Sequence, residues 1–175
     1  ASIYAGKIKI DGVVRKSLHH AIGLMDVVEL ENVSDVYRLV PTEGKILKPI
    51  KINESEKSKK LVRVVTKTSI NKETTQTGFH DGRSTLAEVK AGVGDTCVMQ
   101  IPDQKILDII KLEAGCQGLV VRGINAGQIG KVESVEEGTF ILPKRVILIL
   151  GDKKIEIPAD IIMPIGKEEP VIQLK

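Results

Sequence analysis

The chain has 175 residues, 42% of them hydrophobic and 28% charged, which is enough apolar content to bury a core and too much for a disordered tail. Its longest aliphatic runs, such as Val146 to Leu150, stop at about five residues, where a membrane-crossing helix needs roughly 20. Cys97 and Cys116 make no CxxC pair, and no basic, apolar and small-residue leader opens the sequence; a zinc ribbon and a disulfide scaffold are therefore disfavoured, and a reducing cytosol is the default compartment. The formal net charge of +3 is unevenly distributed. Residues 45 to 72 carry nine Lys and Arg against Glu54 and Glu56, residues 1 to 16 carry four cations against one Asp, and the remainder is acidic on balance. Basic surface confined in this way is either a solvated face or a polyanion-binding one.

Isoleucine and valine together number 42 against 14 leucines, and the only aromatics are Tyr4, Tyr37, Phe79 and Phe140. Branched aliphatics in this excess predict strands. In chain order, Lys7 to Arg15 reads as a hairpin turning at Asp11-Gly12. Met25–Leu30, Val36–Val40 and Lys45–Ile52 read as strands, and Asn53–Lys60 as a short helix with Asn53 as N-cap and Glu54 and Glu56 in its first turn. Leu61–Thr68, Ser84–Val89 and Thr96–Ile101 continue the strands. Asp103–Leu112 fits either a strand or a helix, because Ile106, Ile109 and Ile110 also form a helical stripe. Glu113-Ala114-Gly115 is the best domain junction. Beyond it Leu119–Arg122, Gln128–Val135, Phe140–Leu142, Val146–Leu150, Lys154–Ile157 and Ile161–Ile165 are short strand candidates.

The most informative run is Gly118 to Val135, GLVVRGINAGQIGKVESV. Gly130-Lys131 looks like the end of a phosphate-binding loop, but Asn125 stands where its first glycine belongs and Val132 where Ser or Thr should follow. The dinucleotide fingerprint fails on the same Asn125. The run resembles the KOW motif of small SH3-like barrels in ribosomal proteins and transcription elongation factors, with Gly127 as its best-known glycine and Gly123 and Gly130 as further turn residues. His80-Asp81 invites a metal or general-base reading, yet neighbours on an extended segment point to opposite sides, and only His19 and His20 remain as further histidines. A turn at Asp81-Gly82, with Arg83 opening the next strand, is the simpler account. No serine lies in a nucleophile-elbow pattern, so no enzyme activity, metal or cofactor is expected.

The segments AGKIKIDGVVRKSLHHAIGLMDVVEL, Tyr37-Arg38-Leu39, His80-Asp81-Gly82-Arg83, Gly94-Asp95-Thr96, Ile106 to Leu112 and the closing Asp160-Ile161-Ile162 and Ile165-Gly166-Lys167 closely resemble, in that order, the archaeal and eukaryotic small-subunit ribosomal protein family S-four-e. The resemblance spans the whole chain. It implies a mainly β protein: residues 1–22 as the terminal hairpin of a truncated S-four-type RNA-binding domain, 23–114 as a β-rich central domain and 115–175 as an SH3-like KOW barrel. It also implies that Lys105–Leu112 is a strand. The expected function is structural, in translation, within the cytoplasmic ribosome. Ribosomal RNA and neighbouring small-subunit proteins are the expected partners, with no membrane and no small-molecule substrate. A protein-interaction module of a KOW-bearing transcription elongation factor is the competing reading. Scarce aromatics argue for recognition of RNA shape and backbone over stacked bases. The candidate phosphate contacts are Lys7, Lys9, Arg15 and Lys16 on the hairpin, Lys57, Lys59, Lys60 and Arg63 in the basic block, and Arg122, Asn125, Gln128 and Lys131 around the glycine-rich loop. Because isolated hairpins are marginal in water, residues 1–18 are expected to contribute little to stability.

Overall fold

Branched apolar residues broken at short intervals by Gly, Pro, Asn and Asp favour short strands joined by tight turns. The computed structural model describes residues 2–70 and 74–174, apart from the side chains of Lys45 and Ile46. Lys72 of the basic block and the Lys45 side chain thus lie outside what is described. The described residues form fifteen strands in three antiparallel five-stranded sheets, with two single 3-10 turns and no α-helix.

The first sheet holds β1 (Ile8–Ile10), β2 (Val13–Val14), β3 (Val27–Leu30), β4 (Val36–Thr42) and β5 (Lys45–Ile52) in the order β2-β1-β3-β4-β5. Asp11 and Gly12 make the β1–β2 turn with φ of 51° and 77°, the two positive values a two-residue hairpin loop of this kind requires. The hairpin does not stand alone. β1 pairs with β3 on its other side, Ile8 opposite Leu30 and Ile10 opposite Val28, and Ile10 and Asp11 are buried. The premise of a lone hairpin, on which residues 1–18 are expected to add little stability, therefore fails, because their first strand is an interior member of a sheet.

The second sheet orders β10 (Lys105–Ile110), β9 (Thr96–Gln100), β6 (Lys59–Ser69), β7 (Thr75–Phe79) and β8 (Ser84–Thr85) as β10-β9-β6-β7-β8. β6 serves both halves: Lys59 to Arg63 pair with β9 and Val64 to Ser69 with β7. Lys105–Ile110 is a strand, as the family resemblance implied. A bulge between Ile106 and Asp108 shifts its register against β9, so its apolar residues lose strict alternation and mimic a helical stripe.

The third sheet contains β11 (Gln117–Val120), β12 (Ile129–Glu136), β13 (Arg145–Leu150), β14 (Lys153–Pro158) and β15 (Ile162–Gly166), ordered β14-β13-β12-β11-β15. A 3-10 turn, Ala159–Ile161, joins its two edge strands. Val120, Val132, Val146, Leu148, Ile157 and Ile162 form one buried cluster, so all five strands, edges included, wrap a shared core. A second cluster unites the three sheets through Val40, Leu61, Val98, Ile110, Leu119, Met163 and Ile165, closed by Ile172 and Leu174 of the C-terminal tail. Gly115 turns the chain with φ of 95°, but the blocks on either side of it share this core.

Three local expectations fail. Asn53–Lys60 yields only the 3-10 turn Glu54–Glu56, with no side-chain cap from Asn53, since strand β6 claims the residues that would continue it. Ser84–Val89 is paired only over Ser84–Thr85. Phe140–Leu142 is an exposed loop, not a strand. Cys97 and Cys116 are buried free thiols, and burial pushes the Cys97 thiol up to about 11.

Candidate nucleic-acid interface

Alternation along β1 sends Ile10 inward and leaves Lys9 exposed. Lys16 is also exposed and Lys7 is half-buried. The Lys16 stem lies over Gly6, where a Cβ would come within 3.0 Å of its Cε. Among the described residues no carboxylate pairs with Lys7, Lys9 or Lys16. The same is true of Lys59 at the start of β6, Arg122 just after β11 and Lys131 on β12, all exposed. Arg15 is half-buried and lines a cavity of about 400 Å³ together with Asp11, Asp26, Lys60, His80, Asp81 and Arg83.

Lys60 is not a phosphate contact. Next to exposed Lys59, strand alternation drives its side chain into the interior, where it is 1% exposed. Its Nζ donates to Asp11 Oδ2 at 2.7 Å and Asp26 Oδ1 at 2.5 Å, and lies 3.1 Å from Asp81 Oδ2. Arg83 Nη2 donates to the same Asp11 oxygen at 2.7 Å. Burial lowers the Lys60 pKa, but the three carboxylates outweigh burial and raise it above the ordinary lysine value. Burial likewise raises Asp81, and Lys60 with the Arg83 amide more than reverses that, holding its carboxyl below the ordinary value. Each carboxylate has further work: Asp11 Oδ1 accepts from the Val27 amide at 3.0 Å, and Asp26 Oδ2 from the Gly23 amide at 2.7 Å.

Arg63 is also diverted from the role expected of it. Its Nη1 donates to the Asp160 carbonyl at 2.5 Å and its Nη2 to the Ala159 carbonyl at 3.0 Å, clamping β6 to the 3-10 turn of the third sheet. Its pKa is lowered, chiefly by burial, with Asp160 opposing and the nearby Arg122 adding to the fall. Lys57 sits between Glu29 at 3.9 Å and Glu54 at 3.8 Å, so its charge is locally balanced. Arg63 and Arg122 line a larger cavity of about 720 Å³ floored by Leu24, Leu47, Phe79 and Val121. It shares Ile22, Gly23, Leu24, His80 and Gly82 with the smaller one. The two make one trough across the three sheets, with Arg15, Arg83, Arg63 and Arg122 along it.

The loop between β11 and β12 is closed by Gly127 N donating to Val120 O at 2.8 Å, Ala126 N to Gly123 O at 3.1 Å and Gln128 N to Asn125 O at 3.1 Å. Gln128 is exposed and Asn125 half-buried. Gly123 and Gly127 have φ of 89° and 85°, whereas Gly130 is required by space, facing the Ile149 carbonyl and the Leu148 and Leu150 side chains. A Cβ on Gly127 would lie 2.6 Å from Pro41 O and 2.9 Å from Thr42 Cα. The loop therefore abuts the end of β4 in the first sheet.

His80 and Asp81 do not form a catalytic pair. His80 Nδ1 accepts from the Arg63 amide at 3.0 Å, so Nε2 carries the proton and donates to Leu24 O at 3.1 Å; burial keeps the ring neutral by lowering its pKa. Asp81 Oδ1 accepts from the Arg83 amide across the turn. No group of three potential metal ligands occurs among the described residues.

Sequence reasoning missed the charge cluster of Asp11, Asp26, Asp81 and Arg83, whose members come from distant turns with nothing in the sequence to link them. It also missed Arg38, which is fully buried and donates to Glu56 Oε2, Glu56 O and Lys59 O at 3.2, 3.1 and 2.7 Å. An arginine within the apolar run Val36 to Val40 is the signal that could have exposed it, because a charge there must be paired.

Comparison with known proteins matches residues 33–106 to the family model described as Ribosomal family S4e. The small ribosomal subunit protein eS4 of Staphylothermus marinus is 38% identical over 184 residues, covering 98% of this chain and 72% of that protein. Its counterpart in Methanothermobacter thermautotrophicus is 36% identical over 173 residues with the same coverage. The crystal structure of the 30S ribosomal protein S4e from Thermoplasma acidophilum aligns over 95% of this chain and 83% of that one, with TM-score 0.81 and 27% identity. With near-complete alignment to eS4 relatives at this identity, and the fold shared with a solved S4e protein, the chain belongs to ribosomal family S4e.

Proposed function

We infer that this chain is a structural, non-enzymatic constituent of the small ribosomal subunit, acting in translation in the cytoplasm and holding ribosomal RNA through charge on its surface. Membership in the family supports the constituent role. The observation that carries the RNA reading is the division of the cations into two sets. Lys60, Arg63 and Lys57 are consumed by internal partners, while Lys7, Lys9, Lys16, Lys59, Arg122 and Lys131 meet no carboxylate among the described residues and face solvent wholly or in part. Unpaired cations release counterions when they meet phosphates, and that release is what drives backbone binding. The Gly123–Gln128 loop acts as a KOW-type turn that brings Arg122, Asn125, Gln128 and Lys131 to RNA, and Arg15 approaches RNA from the trough it lines. Neighbouring small-subunit proteins complete the surroundings. The alternative as an interaction module of a transcription elongation factor finds no support in the relatives. Fractionation of cell extract on a sucrose gradient tests the reading: the protein is expected in the small-subunit fractions, and recovery only among free proteins overturns it.

A further inference from the structure

The loop between β12 and β13 holds three consecutive large apolar residues in water, Phe140, Ile141 and Leu142, with relative exposures of 106%, 86% and 52%. The chain has only two phenylalanines, and one is spent here with nothing packed on it. The loop is nevertheless built. Thr139 N donates to Leu142 O at 2.8 Å, Leu142 N donates to Thr139 Oγ1 at 3.2 Å, and Lys144 Nζ meets Glu137 Oε1 at 2.7 Å across its base. Gly138 is packed so that a Cβ would come within 2.7 Å of Lys144 N and 2.8 Å of Leu142 O. A preformed loop that presents an apolar knob has little ordering entropy left to lose on docking, and contiguous exposed apolar surface marks an interaction site.

The charges around the knob select the class of partner. Lys144 pairs with Glu137, and Arg145 Nη1 donates to Glu156 Oε1 at 2.6 Å, so both cations beside the tip are already occupied. Glu136, exposed at the end of β12, stands opposite Arg145 in the β12–β13 ladder and attracts the guanidinium that Glu156 binds, so Glu136, Glu137 and Glu156 share two cations. With three carboxylates to two cations, and both cations paired among the described residues, this surface disfavours phosphates. The knob also lies at the opposite end of β12 from the Gly123–Gln128 loop; β12 has eight residues, about 25 Å at roughly 3.3 Å each.

We propose that Phe140, Ile141 and Leu142 insert into an apolar pocket with a basic rim on a neighbouring protein of the small subunit. This rests on the chain being a constituent of that particle. The test replaces Phe140 in the full chain with the photoreactive aromatic p-benzoylphenylalanine, isolates small subunits carrying it by gradient, irradiates them and maps the crosslink by mass spectrometry. The expected product joins position 140 to one subunit protein at a site lined by apolar residues with Lys or Arg beside them. Crosslinking to ribosomal RNA, or to nothing although the protein sits in the subunit, overturns the proposal. Absence of the protein from subunits overturns the functional reading itself, which is a different result. A second variant, Phe140→Ser with Ile141→Ser, should melt like the parent, because both residues are almost wholly exposed in the free protein. It should be stripped from subunits by a high-salt wash about tenfold more readily, since salt weakens phosphate contacts and spares apolar ones. Equal retention overturns the proposal.

Discussion

Lys60 shows how one buried residue couples three segments of the chain. Its ammonium holds together Asp11 from the first hairpin turn, Asp26 from the start of the next strand and Asp81 from the β7–β8 turn. Removing one partner from such a cluster leaves uncompensated charge in a low-dielectric site, so Lys60→Ala is expected to cost about 3–5 kcal/mol at neutral pH. The pH dependence follows from the shifts. Asp81 is held below its ordinary 3.8, so its contribution is full above that value and is lost as pH falls through the lowered one. Lys60 is held above its ordinary 10.5, so its contribution is full below that value and is lost as pH rises beyond it. In the variant Asp81 no longer faces an ammonium and is relieved by protonation. The gap between parent and variant should therefore narrow below a pH of about 4. Urea unfolding at pH 7 and pH 3 measures it, and a gap that stays constant would count against the cluster as described.

At the scale of elements, the first hairpin and the Gly123–Gln128 loop both stabilise the molecule through a neighbour. β1 is hydrogen-bonded to β2 and β3 at once, and Asp11 at its end accepts from Lys60, Arg83 and the Val27 amide. Deleting residues 1–18 exposes the edge of β3 and strips a carboxylate from the buried cluster, which should lower stability by at least about 3 kcal/mol. A calorimetric melt of the truncated chain that superimposes on the parent would show the hairpin to be dispensable. Gly127 and Gly123 form a controlled pair, because both have positive φ but only Gly127 has backbone against it, at Pro41 and Thr42. Gly123→Ala should cost about 1 kcal/mol, the penalty of left-handed backbone alone, whereas Gly127→Ala should cost roughly twice that or more as the first and third sheets are forced apart. Equal urea midpoints for the two would place the Gly127 contact in doubt.

For the whole molecule, the arrangement of charge matters more than its total. With about 4 phosphates neutralised by the unpaired cations, log affinity for structured RNA should fall against log salt with a slope of roughly −3 to −4. Lys9→Ala and Lys16→Ala should each flatten that slope by about 0.7–0.9. Lys57→Ala, which removes a cation already flanked by Glu29 and Glu54, should barely alter it. Filter-binding titrations across a salt series distinguish the two kinds of lysine, and equal effects would mean that internal pairing does not decide which cations meet RNA.

The β class of the chain, the Asp11-Gly12 hairpin and the glycine-rich loop were legible in the sequence because each depends on local chemistry: branched side chains, two residues that tolerate positive φ and glycines that admit a close turn. The family was legible because short segments recur in order along the whole length. Lys105–Ile110 was only half legible, since a bulge, which is a property of the pairing with β9, erased its alternation. The fate of each cation was not legible at all. Lys57, Lys59, Lys60 and Arg63 lie within seven residues, yet one is flanked by glutamates, one meets no carboxylate among the described residues, one is buried among three aspartates and one is bound to carbonyls of the third sheet. Coulomb energy depends on distance in space and on exclusion of water, and the partners that decide those outcomes stand up to 97 residues away in the chain. The sequence by itself determined that this protein would be β and locally basic; only the packing of three sheets decided which charges hold the fold together and which are left without an internal partner.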